Sequence, residues 1–329
     1  MKTKSNRSYS IDFIKGIAAI SVVWLHCANN DAFDSIIHLI GRMAVPMFFI
    51  ITGYFLPSMI KSGTITNHII KITKIAIGAL AFYFPLFCIE AYLNGDLKHQ
   101  LLNIFRLDDL WDKILFSQYP FYVNAGHLWY LIAILYLLGF IYYYTKKHRI
   151  STLYCLIPFL FIIGYLISSF EVTDRKYYQN FLFTGLPYIL LGSYIHNQLN
   201  HKIISNRVIG LLIAIFSVLY LVEVALYLYI GLPARREHYL SIIPLVSFIL
   251  IWGAHNPNFG KRSIITTIGR DYSIYIYVFH LFFVRRMWII FHGTSIDSKL
   301  QMLFSLLLTL LTSFLYVKLK EFYKLKFHH

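Results

Sequence analysis

Residues 16–28, 43–60, 75–93, 128–145 and 208–230 contain no lysine or arginine, and only Glu90 and Glu223 interrupt them with charge. A helix needs about 20 mostly apolar residues to cross a hydrocarbon core about 30 Å thick. Runs of this kind cannot be accommodated as the half-polar elements of a water-soluble domain. The whole chain agrees: 58% of its residues are hydrophobic and 14% charged, where a soluble domain carries about 25% charge. These features exclude a soluble enzyme built on one core, a disordered chain and a secreted disulfide scaffold. The sequence reads as an integral membrane protein.

Ten spans are expected, over 10–28, 43–60, 72–93, 126–145, 151–170, 181–197, 208–230, 239–255, 272–291 and 299–319. The fold class is therefore all-α, a polytopic membrane helix bundle forming one domain over 1–329. Pro46, Gly53, Pro158, Pro187 and Pro244 fall within these spans, which a bundle tolerates because neighbouring helices satisfy the freed backbone groups. With the N-terminus on the cytoplasmic side, 18 Lys and Arg flank the inner helix ends and 11 the outer ones. That asymmetry places both termini in the cytoplasm. It also accounts for the formal charge of +15 without nucleic acid as a partner. The first 28 residues have the basic start and apolar run of a signal peptide, but Asp12 and Lys15 interrupt the run, so an uncleaved first helix is expected. Cys27, Cys88 and Cys155 lie in apolar stretches without metal-ligand spacing. They read as small core residues, and no metal site is expected.

Ionisable groups inside spans are costly, and each is a functional hypothesis. Helix 1 holds Asp12, Lys15 and His26. Asp12 and Lys15 are neighbours at i,i+3. Eleven residues separate Lys15 from His26, which returns the helix to within about 20° of its starting face and about 16 Å further along the axis. The three form one stripe, expected to face the bundle interior. The alternative is that Asp12 and Lys15 neutralise each other near the inner headgroups while His26 ends the helix at the outer interface. Arg42 opens helix 2, His127 opens helix 4, and His280 lies well inside helix 9. By topology His26, Arg42 and His127 meet on the outer side. Each has a plainer reading: Arg42 as a snorkelling residue, Trp129 and Tyr130 as part of an aromatic belt, His280 as a buried neutral imidazole bonded to a backbone carbonyl.

Several of these segments carry a shared pattern. Asp12-Phe-Ile-Lys15-Gly16-Ile-Ala-Ala ending in His26, VPMFFIITGYF over 45–55, HLWYL over 127–131 and SIYIYVFHLF over 273–282 resemble, in this order, the signatures of the acyltransferase 3 family of membrane acyltransferases. The resemblance spans essentially the whole chain. It is nearest to the small single-domain branch that O-acetylates bacterial surface polysaccharides such as the enterobacterial common antigen. Two positions depart from the pattern: Lys15 stands where the family usually has Arg, and Thr52 where it usually has Ser. The first keeps the charge but loses the planar fork; the second keeps a hydroxyl.

The resemblance implies an O-acetyltransferase of the bacterial inner membrane, with acetyl-CoA as co-substrate and a hydroxyl of a surface glycan or its lipid-linked precursor as acceptor. It implies His26 as the catalytic base, which suits an imidazole titrating near neutrality. Arg42 would steady an oxyanion or orient the acceptor, and His127 would join them in catalysis. At the cofactor-binding end, Lys15 would meet the phosphate-bearing end of CoA or hold Asp12, while Thr52, Tyr54, Trp129 and His280 would line the cleft or be buried polar groups. No Ser/His/Asp series is recognisable; an acyl-His26 relay stays open. A transporter or flippase for a glycan or acyl donor is the competing class, since a polar stripe in a helix bundle also describes a translocation path.

Overall fold

A computed structural model describes residues 8–27, 38–104, 106, 114, 125–169, 174–199, 204–231, 238–291 and 298–327. Among them every regular element is helical: α1 (Tyr9–Cys27), α2 (Ala44–Lys61), α3 (Ile65–Leu93), the short α4 (Leu97–Ile104), α5 (Trp129–Thr145), α6 (Leu156–Ser169), α7 (Leu186–Leu199), α8 (Asn206–Tyr229), α9 (Ile242–His255), α10 (Ser273–Phe291) and α11 (Ser298–Phe327). Single π-turns, Phe181–Gly185 and Ile268–Tyr272, lead into α7 and α10. Of the residues counted for orientation, Lys2, Lys4, Arg7, Lys113, Lys202, Arg235 and Arg236 lie outside the described set, as do span-edge residues 28 and 170.

Each of the ten expected segments contains a helix, but among the described residues eight helical stretches are long and apolar enough to cross a membrane. Of the other two, α9 has 14 residues, about 21 Å of helix against a core of about 30 Å, and the stretch 181–199 formed by the π-turn and α7 is not among the eight. Two edges also differ. The third helix starts at Ile65 rather than 72, and the last runs to Phe327 rather than 319. The added turns carry Lys71 at one end and Lys320, Glu321, Lys324 and Lys326 at the other. These are good helix formers, so the helix continues where hydropathy stops. Pro158 and Pro244 stand in the first turn of their helices, where no backbone donor is lost; Pro187 follows the π-turn that leads into α7.

The chain falls into two compact units, Met1–Phe48 with Ile204–Arg235 and Ser241–His329, and Phe49–Ile203 with Arg236–Leu240. The first is built from both ends of the chain. Its centre is α1, which packs on α9, α10, α11 and the residues leading into α10. Ala19, Val23 and Cys27 of α1 bury themselves against Ile276, Val284 and Met302. Small residues bring backbones into contact, as in membrane bundles generally: a Cβ on Gly16 would strike the Ile265 carbonyl, and one on Gly269 the Asp12 carbonyl. Along α11 the buried polar residues Gln301, Ser305, Thr309 and Ser313 recur every fourth position. Thr309 and Ser313 donate to the carbonyls of Ser305 and Thr309 at 2.7 Å, which satisfies their hydroxyls inside the packed face. On α8, Glu223, one of the two acids within the apolar runs, accepts hydrogen bonds from the Ser241 amide at 2.9 Å and from the Ser241 hydroxyl. A carboxylate there stabilises the start of α9.

In the second unit, α2 crosses α7 through Gly53 and Gly192. A Cβ on Gly53 would meet the Ile189 carbonyl, and one on Gly192 the Ile50 carbonyl. The Tyr154 hydroxyl joins Ser193 and Asn197, both at 2.8 Å, tying the turn before α6 to α7. The expectation of three core cysteines needs correction. Cys27 is buried, Cys88 half-buried and Cys155 exposed; Cys155 lies in the turn between the 3-10 turn Ile150–Leu153 and α6.

Candidate functional site

The inner end of α1 carries the first cluster. Asp12 is 9% exposed, and Lys15 Nζ lies 2.9 Å from its Oδ1. Arg270, in the π-turn that packs on this part of α1, is within electrostatic reach of Asp12 and pairs at 2.6 Å with Asp271. The i,i+3 pair expected from the sequence is therefore formed, and Asp12 faces a second cation delivered by tertiary packing. The Lys15 side chain keeps 25% of its surface exposed. An ammonium has three donors, so the contact with Asp12 leaves it chemically able to meet an anion as well.

At the other end of α1 the stripe does not lie in the interior as expected. His26 is exposed, at the last turn of the helix. Its ring centroid is 5.1 Å from that of His280, which is fully buried on α10. The His280 Nδ1 is 2.7 Å from the Tyr277 carbonyl and 3.2 Å from that of Ile276. A carbonyl only accepts, so Nδ1 carries the hydrogen, and the neutral ring holds its lone pair on Nε2. The imidazole expected to be satisfied by its own backbone is satisfied that way, and it also lies against the imidazole of helix 1.

Arg42 ends the helical turn over 38–42 that leads into α2, beside the same end of α1. A Cβ on the preceding Gly41 would fall 2.8 Å from Leu25 Cβ and 3.1 Å from the Ser21 carbonyl, so only a glycine seats this turn on α1 without displacement. Arg42 Nη2 is 3.4 Å from Nε2 of the buried His38. Guanidinium is always a donor, so His38 is the acceptor in this contact. His38 was missed in the sequence because it precedes the apolar run; its i,i+4 spacing to Arg42 was the available signal.

Thr52, Tyr54, His127 and Trp129 belong to the second unit. Thr52 hydrogen-bonds the hydroxyl of the buried Tyr130. Phe49 packs edge-on against Tyr130 at 4.7 Å and lies 6.0 Å from Trp129. Tyr130 is therefore a core residue bonded to the Thr-Gly-Tyr segment, not a belt residue, and Trp129 is buried with it. Both had plainer readings at the interface, which their burial overturns. His127 is buried in a 3-10 turn against Tyr83, 5.3 Å between rings. Tyr54 packs edge-on against His196 at 5.0 Å, a partner for which the sequence held no signal.

Comparison with known proteins adds the following. A family model described as an acyltransferase domain matches residues 8–318. Two curated proteins of Enterococcus faecalis, each named amino-acid racemase, are similar to this chain. One is 28% identical over 221 residues, covering 59% of this chain and 29% of its own length. The other is 30% identical over 140 residues, covering 39% and 18%. The chain thus spans less than a third of the length of these relatives. No solved structure matches.

Proposed function

This chain belongs to the acyltransferase 3 family of membrane acyltransferases, and we propose that it transfers an acetyl group from cytoplasmic acetyl-CoA to a hydroxyl of a bacterial surface polysaccharide or its lipid-linked precursor. The observation that carries this reading is the distribution of groups on α1: an exposed imidazole at one end and a Lys15–Asp12 pair at the other, about 16 Å apart along the axis. That suits a donor with an anionic nucleotide head and a reactive thioester at the end of a long arm.

In this mechanism His26 takes the proton from the acceptor hydroxyl as its oxygen attacks the thioester carbonyl. A tetrahedral oxyanion forms, and a cation or N–H donor at that oxygen lowers the barrier; Arg42, positioned by His38 and Gly41, is assigned this role. Collapse expels the CoA thiolate, which takes the proton back from the His26 imidazolium. The products are the acetyl ester and CoA thiol. Lys15 meets the phosphates of CoA while Asp12 holds it in place. Within the second unit, the Thr52–Tyr130 bond and the packing of Phe49 on Tyr130 hold the Thr52-Gly53-Tyr54 segment rigid. The racemase name of the two relatives is not carried over, since the aligned stretch is under a third of each.

The test is transfer of labelled acetyl from acetyl-CoA by purified protein to membranes of a host strain lacking this gene. Label must appear on the glycan. Lys15→Met should raise the KM for acetyl-CoA about tenfold or more, and Lys15→Arg should keep most of the activity. Unchanged acetyl-CoA saturation together with lowered thermal stability in Lys15→Met would make Lys15 a structural partner of Asp12 instead.

We propose that both termini lie in the cytoplasm, on the charge asymmetry of 18 against 11, and, from the family resemblance, that the protein resides in the inner membrane. In a variant lacking Cys27, Cys88 and Cys155, an impermeant thiol reagent applied from outside should label Asn94→Cys and spare Lys147→Cys. The opposite pattern would reverse the orientation.

A further inference from the structure

We infer that His280 is a positioning residue for His26, holding the base in one orientation and tautomer during transfer; this rests on the reading of His26 as the base. Four observations meet here. The two rings lie 5.1 Å apart between centroids, tilted by 40°. His26 is exposed at the end of its helix, whereas His280 has no exposed surface. His280 therefore cannot meet an acceptor hydroxyl, and His26 can. The Nδ1 hydrogen of His280 is committed to the Tyr277 carbonyl at 2.7 Å, which stops ring rotation and fixes Nε2 as the acceptor nitrogen of the neutral ring. Finally, the two helices bearing these rings are locked together: Ala19, Val23 and Cys27 of α1 share one buried cluster with Ile276 and Val284 of α10.

A base works best when a third group orients it. In hydrolases that group is commonly a carboxylate; here it is a neutral imidazole whose own hydrogen is tied to the backbone. A neutral ring suits a base next to CoA, because its Nε2 is able to accept from the His26 ring once that ring is protonated, without adding a negative charge near the thioester carbonyl. The proton of the acceptor hydroxyl goes to His26 and returns to the departing thiolate. His280 keeps its own Nδ1 hydrogen throughout. A second use of the same burial is packing alone, and the two differ in what a phenyl ring of similar size would do at position 280.

The full-length protein is purified in detergent and assayed with labelled acetyl-CoA, using membrane vesicles from a strain lacking this gene as acceptor. His280→Phe keeps the ring and removes both nitrogens. A misplaced base can cost about 100-fold, so kcat should fall by about that factor while the KM for acetyl-CoA stays unchanged. His280→Gln, which keeps a donor and an acceptor on a planar group, should recover at least tenfold of the loss. In a His26→Ala background His280→Phe should cause no further loss, since a group acting through His26 has nothing left to act on. Wild-type kcat in His280→Phe, or losses that multiply in the double variant, would overturn the positioning role. Should the Phe variant not fold, His280→Met against His280→Gln makes the same comparison. Normal turnover in His26→Ala alone is a different failure: it removes the base reading itself, whereas multiplying losses remove only the role of His280.

Discussion

His26→Ala is expected to abolish glycan acetylation while the protein remains folded and inserted. Removing a positioned general base costs about 10²–10⁴-fold in rate, well outside the range of an assay of labelled acetyl transfer. The folded structure should hardly change. His26 is exposed, and surface substitutions usually stay within about 0.5 kcal/mol. The contrast between a large kinetic loss and an unchanged melting temperature is the signature. His127→Ala is the control from the second unit: buried against Tyr83, it should lower stability as well as turnover. If His26→Ala turns over normally at normal membrane levels, the mechanism is wrong even though the family assignment stands.

The largest effect on folding is expected at Gly192. Its Cβ would fall on the Ile50 carbonyl and lie 2.7 Å from the Tyr54 amide nitrogen and 3.0 Å from the Gly53 carbonyl carbon. All three are backbone atoms, so no rotamer change relieves the clash. The whole of α7 must move off α2. Overpacking a core commonly costs about 1–3 kcal/mol, and here the displaced object is a helix, against a total stability of about 5–15 kcal/mol. Gly192→Val should therefore lose monodisperse protein on size-exclusion chromatography, and Gly192→Ala should melt well below the wild type. Gly210, on α8, has no atom within 4 Å of its Cβ position. Gly210→Ala should be neutral or slightly stabilising, because Ala is favoured over Gly in a helix by about 1 kcal/mol. Equal melting of the Gly192→Ala and Gly210→Ala proteins would refute the crossing of α2 and α7.

These two residues mark how far the sequence could be read. Gly53 is visible in the sequence as part of Thr52-Gly53-Tyr54, but the reason for a glycine there is the backbone of α7, reached only in the folded unit. His26 and His280 were each legible as ionisable groups within spans. Their contact was not, because a helix pattern records the face of a residue and not which neighbour that face meets. Arg42 and His38 are the intermediate case, a local i,i+4 pair hidden by a span edge drawn from hydropathy.

What the sequence determined by itself was the class of structure and the course of α1: apolar runs too long for a soluble domain must become helices that satisfy their own backbone, and Asp12, three residues from Lys15, pairs with it through helix geometry alone. Only tertiary structure decided that Arg270 comes within electrostatic reach of Asp12, that His280 backs His26, and that α9 stops at 14 residues. Hydrogen bonding within a helix is local and writes itself into three- and four-residue spacings. The depth and rotation at which two helices meet depend on small residues such as Gly16, Gly192 and Gly269, which let carbonyls approach, and that fit exists only once both helices are in place.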